Sequence, residues 1–146
     1  PTLFDAAIDA GRRPIIISTE GDSISKIFLN RKMDYLFCKT PDDCNAHALD
    51  VLRRNEHDLV VVYNGNYDAQ MHRTGPESRE ALAQLRHNTV NFEILSRHAR
   101  QAWAGMTAMT AFLPDHGCHE IDGGLGSHGL DMPEDLNIVH FYNFFA

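Results

Sequence analysis

Two short runs of β-branched residues constrain this chain most. Pro14-Ile15-Ile16-Ile17-Ser18 and Asp58-Leu59-Val60-Val61-Val62-Tyr63 are continuous apolar stretches bounded by turn-forming residues. A strand covered on one face alternates apolar and polar residues, whereas an unbroken run belongs to a sheet covered on both faces. The three valines place the second run near the middle of that sheet. Between and around the two runs the periodicity changes to that of helices. Residues 3 to 10 form a short helix stopped by Gly11, and Ile24, Ile27 and Phe28 mark one face of another. Thr40-Pro41-Asp42-Asp43 opens a third, with Thr40 as cap, Pro41 in the first turn and acids at the positive end of the helix dipole. Cys44, Ala48, Val51 and Leu52 recur on its inner face. A long helix begins near Pro76, with Thr74 and Glu77 as a capping box. It carries Leu82, Leu85, Thr89, Phe92, Leu95, Ala99 and Trp103 on one side and ends at Gly105. Residues 34 to 38, 107 to 113 and 137 to 144 complete a set of strands. Alternation of this kind predicts a single α/β domain with three layers and a mostly parallel sheet.

The 146 residues suffice for one domain with a sizeable core, so no disulfide staple is required. Cys38, Cys44 and Cys118 are an odd number without CxxC spacing, which excludes a disulfide framework and a zinc ribbon; Cys38 and Cys44 read as core residues. A net charge of −7 with no basic stripe speaks against a nucleic-acid surface. No apolar run approaches the roughly 20 residues that cross a bilayer and no signal peptide is evident, so the expectation is a cytoplasmic protein without a membrane partner. An anionic ligand would need positive charge supplied locally, and bound metal is one source of it.

The stretch Ala111 to Gly129, AFLPDHGCHEIDGGLGSHG, is where such a source is expected. Asp115 and His116 follow the apolar strand ending at Leu113, and His128 lies in the glycine-rich loop beyond. Asp68 and His72 follow the strand ending at Tyr63, four residues apart and so on one side of a helical turn. Ligands of a parallel α/β sheet gather outside the carboxyl ends of its strands, so both Asp/His pairs should meet on one edge, with His128 folding back to them. Two aspartates and three histidines exceed what one tetrahedral ion takes from protein and divide naturally between two ions a few Å apart.

These residues carry a resemblance. The chain resembles the C-terminal portion of the metal-dependent alkaline phosphatase superfamily, which includes cofactor-independent phosphoglycerate mutase, phosphopentomutase and nucleotide pyrophosphatases. The resemblance implies that Asp68, His72 and His128, a D-x-x-x-H motif plus a late histidine, hold one divalent ion, and that Asp115 and His116, in D-H-G, contribute to a second. It implies zinc or manganese as the cofactors, a phosphorylated small molecule as the substrate, and phosphoryl transfer of the phosphatase, phosphodiesterase or phosphomutase type. The family completes its second site with an Asp at the end of its first strand and a Ser or Thr nucleophile at the following helix. Ser18 and Thr19 follow a strand here, but no Asp stands ahead of them. The expectation is therefore a portion of a catalytic domain lacking the nucleophile-bearing part, holding one ion at most. A catalytically inactive metal- or phosphate-binding module is the alternative, and an interaction domain with an accidental His/Asp cluster is the third reading.

Around this set, His119 and Glu120 read equally as exposed loop residues or as partners of the ligands, and Arg73 as a solvated arginine. Asn64 and Asn66 are placed to orient Asp68, and His140 to be satisfied inside the last strand. If the natural protein is truncated, a missing strand leaves an open sheet edge and predicts self-association. Phe141, Tyr142, Phe144 and Phe145 would contribute to that interface, or to the core where further chain covers them.

Overall fold

The computed structural model describes residues Pro1–Ala146 and divides them into two compact units. The first comprises residues 1–65 and 97–103, the second residues 66–96 and 104–146.

In the first unit, helix α1 (Leu3–Asp9) opens with a capping box between Thr2 and Asp5. Strand β1 (Pro14–Thr19), helix α2 (Ser23–Ile27), strand β2 (Asp34–Cys38), helix α3 (Pro41–Arg54) and strand β3 (Leu59–Val62) follow. The strands form a three-stranded, wholly parallel sheet in the order β2-β1-β3. Ile16 pairs with Tyr35 on one side and Val61 on the other. The isoleucine run is therefore the central strand: Ile16, Ile17 and Ser18 are wholly buried. The valine run, expected in the middle, is bonded on one side only and its residues are half-buried. Both runs have the composition of an inner strand, but a sheet of three has one inner place.

Helix α3 is built as its sequence demands. The Thr40 hydroxyl accepts from the Asp43 N–H while the Asp43 carboxylate accepts from the Thr40 N–H, so two otherwise orphaned amides are satisfied at once. Cys44, Ala48, Val51 and Leu52 are buried. Asn55 closes the helix in the left-handed conformation, φ 50°, and its side-chain oxygen accepts from the Trp103 indole N–H at 2.9 Å. Cys38 and Cys44 are buried free thiols, as a core position requires. Burial and a hydrogen bond with Cys38 push the Cys44 thiol up to about 12. In the short helix α2, by contrast, Ile27 is exposed, while Phe28 packs its ring 4.8 Å from that of Phe4.

The second unit holds helix α4 (Asn66–Thr74), most of helix α5 (Arg79–Ala102), strands β4 (Ala108–Phe112), β5 (His119–Ile121) and β6 (Leu125–Ser127), the short helix α6 (Pro133–Leu136) and strand β7 (Phe141–Phe145). β4 and β7 form an antiparallel pair, and β5 and β6 a hairpin. The expectation of one mostly parallel sheet is thus corrected: parallel pairing is confined to β1, β2 and β3. Hydrophobic period identifies a strand but not its neighbour, and β4 finds its partner downstream. The segment after Gly117, read as a loop, is the β5–β6 hairpin, turned by Gly123 and Gly124 at φ 81° and 71°. α5 starts later than expected because Thr74 still belongs to α4. Ser78 is its cap, the hydroxyl accepting from the Ala81 N–H at 3.1 Å. Its inner line runs through Ala81 and Asn88, both buried, so Leu82 and Thr89 are turned outward. No helix of the chain is long and apolar enough to cross a membrane.

Candidate metal centre

All five residues singled out in the sequence lie in the second unit, so the site belongs to one compact body. α4 supplies Asp68 and His72, one turn apart, with His72 Nε2 3.4 Å from Asp68 Oδ1. Tyr67 anchors the start of this helix: its O–H donates to the Pro76 carbonyl at 3.1 Å and lies 3.4 Å from Cys118 Sγ. Burial and then the Cys118 contact push the Tyr67 phenol above its ordinary range. The hairpin packs against α4 at Gly126, where an added Cβ would stand 2.5 Å from the Met71 carbonyl oxygen. Only glycine permits that approach, and the approach delivers the next residues of the site.

His72 Nδ1 is 2.9 Å from the Gly126 carbonyl oxygen. A carbonyl only accepts, so Nδ1 carries a proton, and Nε2, the nitrogen that faces Asp68, is the one that could ligate a metal. His128, just past β6, brings its Nε2 to 3.2 Å from the same Asp68 Oδ1. His116, in the loop after β4, donates through Nδ1 to the Gly117 carbonyl at 2.8 Å and brings its Nε2 to 3.9 Å from Asp68 Oδ1. Its ring stacks on that of His128 with centroids 3.8 Å apart, and the His72 ring lies 5.0 Å from His128 on a tilted plane.

Asp68 Oδ1 is the centre of this arrangement and is buried without a hydrogen-bond partner. The imidazole nitrogens of His72, His128 and His116 approach it to 3.4, 3.2 and 3.9 Å without forming a hydrogen bond. A buried carboxylate oxygen left in this way is costly unless a positive charge meets it. Asp68, His72 and His128 each offer one ligand atom, and these atoms lie within 4.8 Å of one another. Bonds of roughly 2.0–2.1 Å at the tetrahedral angle put neighbouring ligand atoms about 3.3 Å apart. The measured 3.2 and 3.4 Å from Asp68 Oδ1 match that edge. These three residues could hold one metal ion.

Asp115 is placed differently. Its side chain is 63% exposed, and its Oδ1 is 3.8 Å from His116 Nε2. His116 thus lies against the three-residue group by stacking, with Asp115 on its outer side, and these two do not form a second group of three ligand atoms. Asn64 and Asn66 spend their amides elsewhere, Asn64 on Asn45 and Asn66 on Gln84. His140 is exposed rather than enclosed in a strand, with Nε2 3.1 Å from the Pro114 carbonyl oxygen. Glu120 and Arg73 are exposed.

One residue went unsuspected in the sequence. Asp135, in α6, is buried and accepts from His119 Nδ1 at 2.7 Å and from the Leu130 N–H at 2.8 Å. Burial opposes its ionisation, yet these hydrogen bonds outweigh burial and hold the carboxyl below its ordinary range. In sequence it is one of three acids between Asp131 and Asp135, with nothing to set it apart from a solvated one. No family model and no curated protein compared with the chain gives a match. The reading of the site therefore rests on the residues themselves.

Proposed function

We propose that Asp68, His72 and His128 bind a divalent metal ion, zinc in first place and manganese in second, in a phosphoryl-transfer protein of the alkaline phosphatase type. The orphaned Asp68 Oδ1, faced by two imidazole nitrogens at tetrahedral-edge distance, carries this reading. Two nitrogens and one carboxylate suit zinc. Three protein ligands leave a coordination position free, through which the ion would polarise a phosphoryl oxygen. His72 keeps its ligating tautomer through Gly126, and His116 lines the same place with an Nε2 lone pair of its own. A phosphorylated small molecule is the proposed substrate class.

One observation favours the second reading, a metal- or phosphate-binding module without turnover. Ser18, the strand-end hydroxyl considered as a nucleophile, is wholly buried in β1 and cannot meet a substrate there. Titration calorimetry with zinc and with manganese tests the shared part of the two readings. Wild type is expected to bind one equivalent, and Asp68→Asn to bind at least about tenfold more weakly, since it loses the anionic ligand. Absence of uptake by the wild type sinks both. Hydrolysis of an aryl phosphoester by the metal-loaded chain separates them.

A further inference from the structure

We propose that Asp135 is the positioning residue of the metal centre, a single buried residue whose carboxylate and main-chain carbonyl help to hold in register the two segments carrying His116 and His128. Its functional consequence rests on the metal reading above; its structural part does not.

Three strands of evidence converge on Asp135. Its main-chain oxygen accepts from the Gly117 N–H at 2.8 Å, one residue past His116. Its Oδ1 accepts from His119 Nδ1 at 2.7 Å, at the start of β5. Its Oδ2 accepts from the Leu130 N–H at 2.8 Å, two residues past His128. The Asp135 side chain is 2% exposed and that of His119 10%, so water competes little for the bond between them. The β5–β6 pairing stops at His119 and Ser127, so His116 and His128 lie just beyond the ladder, and there both segments are tied to α6. Gly126 seats β6 on Met71; beyond the ladder, the placing of His116 against His128 is completed by one carboxylate and one carbonyl of Asp135.

The physical consequence is specific. A buried N–H stripped of its acceptor loses more than the bond's own net worth, so removal of the carboxylate penalises Leu130 and His119 together. The two loops relax to recover partners, and His128 moves with Leu130. His72, held separately by Gly126, does not. The ligand set would lose its preorganisation through one member, without any ligand having been changed.

Asp135→Ala in the full chain tests this, with zinc affinity read by calorimetry and the metal-free protein read by hydrogen exchange and histidine ring NMR. Expected are at least about a tenfold loss of zinc affinity, faster exchange of the Leu130 amide, and displaced ring resonances of His116 and His128 with those of His72 little changed. Asp135→Asn keeps an acceptor for Leu130 and offers an N–H₂ to the other His119 tautomer, so affinity should return to within about threefold of wild type. His119→Ala removes one arm and should fall between the two; it carries the test if Asp135→Ala does not fold. A folded Asp135→Ala with wild-type affinity and wild-type Leu130 exchange overturns the proposal, and so does an Asp135→Asn protein as weak as the alanine variant. If the wild type takes up no zinc, the metal reading falls, while Leu130 exchange and the ring resonances still decide whether Asp135 is the clamp.

Discussion

Gly117→Ala should be among the most damaging methyl additions available to this chain, although its backbone lies outside the left-handed region that ordinarily reserves a position for glycine. The reason is space. A Cβ built at Gly117 falls 1.9 Å from the Glu134 carbonyl oxygen, 2.9 Å from its carbon and 3.1 Å from the Asp135 Cα. Every obstructing atom is main chain, so no side chain can swing aside. Reaching even 3.0 Å requires a separation of about 1.1 Å between the two segments, more than a packed interior absorbs without strain. That movement also stretches the Gly117 N–H bond to the Asp135 oxygen, now 2.8 Å, beyond useful length. Overpacking costs about 1–3 kcal/mol and a lost internal hydrogen bond about 1 kcal/mol, giving about 2–4 kcal/mol in all. Chemical denaturation followed by circular dichroism measures it. Gly123→Ala is the matched control: it has open space around its Cβ but φ 81°, so it should cost about 1–2 kcal/mol by conformation alone. Because His116 is the neighbouring residue, Gly117→Ala should in addition disturb the His116–His128 stack. A Gly117→Ala protein as stable as wild type would refute the close approach and, with it, the account of why D-H-G ends in glycine.

Three further outcomes are expected. Thr40→Ala should lower stability by about 1 kcal/mol in urea titration, because the Asp43 N–H loses its acceptor while the Thr40 N–H keeps the Asp43 carboxylate. The Thr2 N–H, the Thr2 hydroxyl and Arg31 together hold the Asp5 carboxyl at about 2, below its ordinary value. Its contribution is therefore complete above the ordinary carboxylate range and is lost as pH falls through about 2, so Asp5→Asn should flatten the acid limb of a melting-temperature profile. Finally, β7 is bonded only to β4 and exposes Phe141, Tyr142 and Phe144, the last at 73%. Self-association at micromolar concentration is expected by analytical ultracentrifugation and should be weakened by Phe144→Lys, whereas a monomeric wild type would contradict it.

Local chemistry was the legible part of the fold. Thr40, Pro41 and Asp43 announce the start of α3 because capping uses only near neighbours, and Cys44, Ala48, Val51 and Leu52 are buried as their spacing requires. Strand partnership was not legible. β1 and β3 are both unbroken apolar runs, yet β3, expected near the middle, is bonded on one side only and β1 is the central strand, and β4 pairs with a strand some thirty residues downstream. Backbone hydrogen bonds carry no side-chain signature, so the sequence pattern is silent on which edges meet. Helix α5 shows the same limit: Ala99 of the expected line is buried, but nearer the start Ala81 and Asn88 are buried while Leu82, one position along from Ala81 and more hydrophobic, is exposed.

The site was legible to the extent that its members announce themselves by chemistry. Asp68 and His72 share a face by helical arithmetic, and His116 and His128 stand out against glycine-rich surroundings that permit close approach. What the residues do not announce is how His116 and His128, on separate loops, come to stack at 3.8 Å. The parallel-sheet rule explained their meeting by a common strand edge; the structure brings them together by other means. Gly126 lets β6 lie on Met71, Gly117 lets its loop lie on Glu134, and Asp135 collects the amides and imidazole that follow. Two of these three are glycines, whose contribution is an absent atom, and the third is an acid indistinguishable in sequence from a solvated one. Positioning groups of this kind act through space left free or through bonds to main chain. Gly117 of D-H-G and Gly126 of G-S-H-G therefore matter to the site as much as the histidines beside them: His116 and His128 reach Asp68 where the backbone next to them packs without a Cβ.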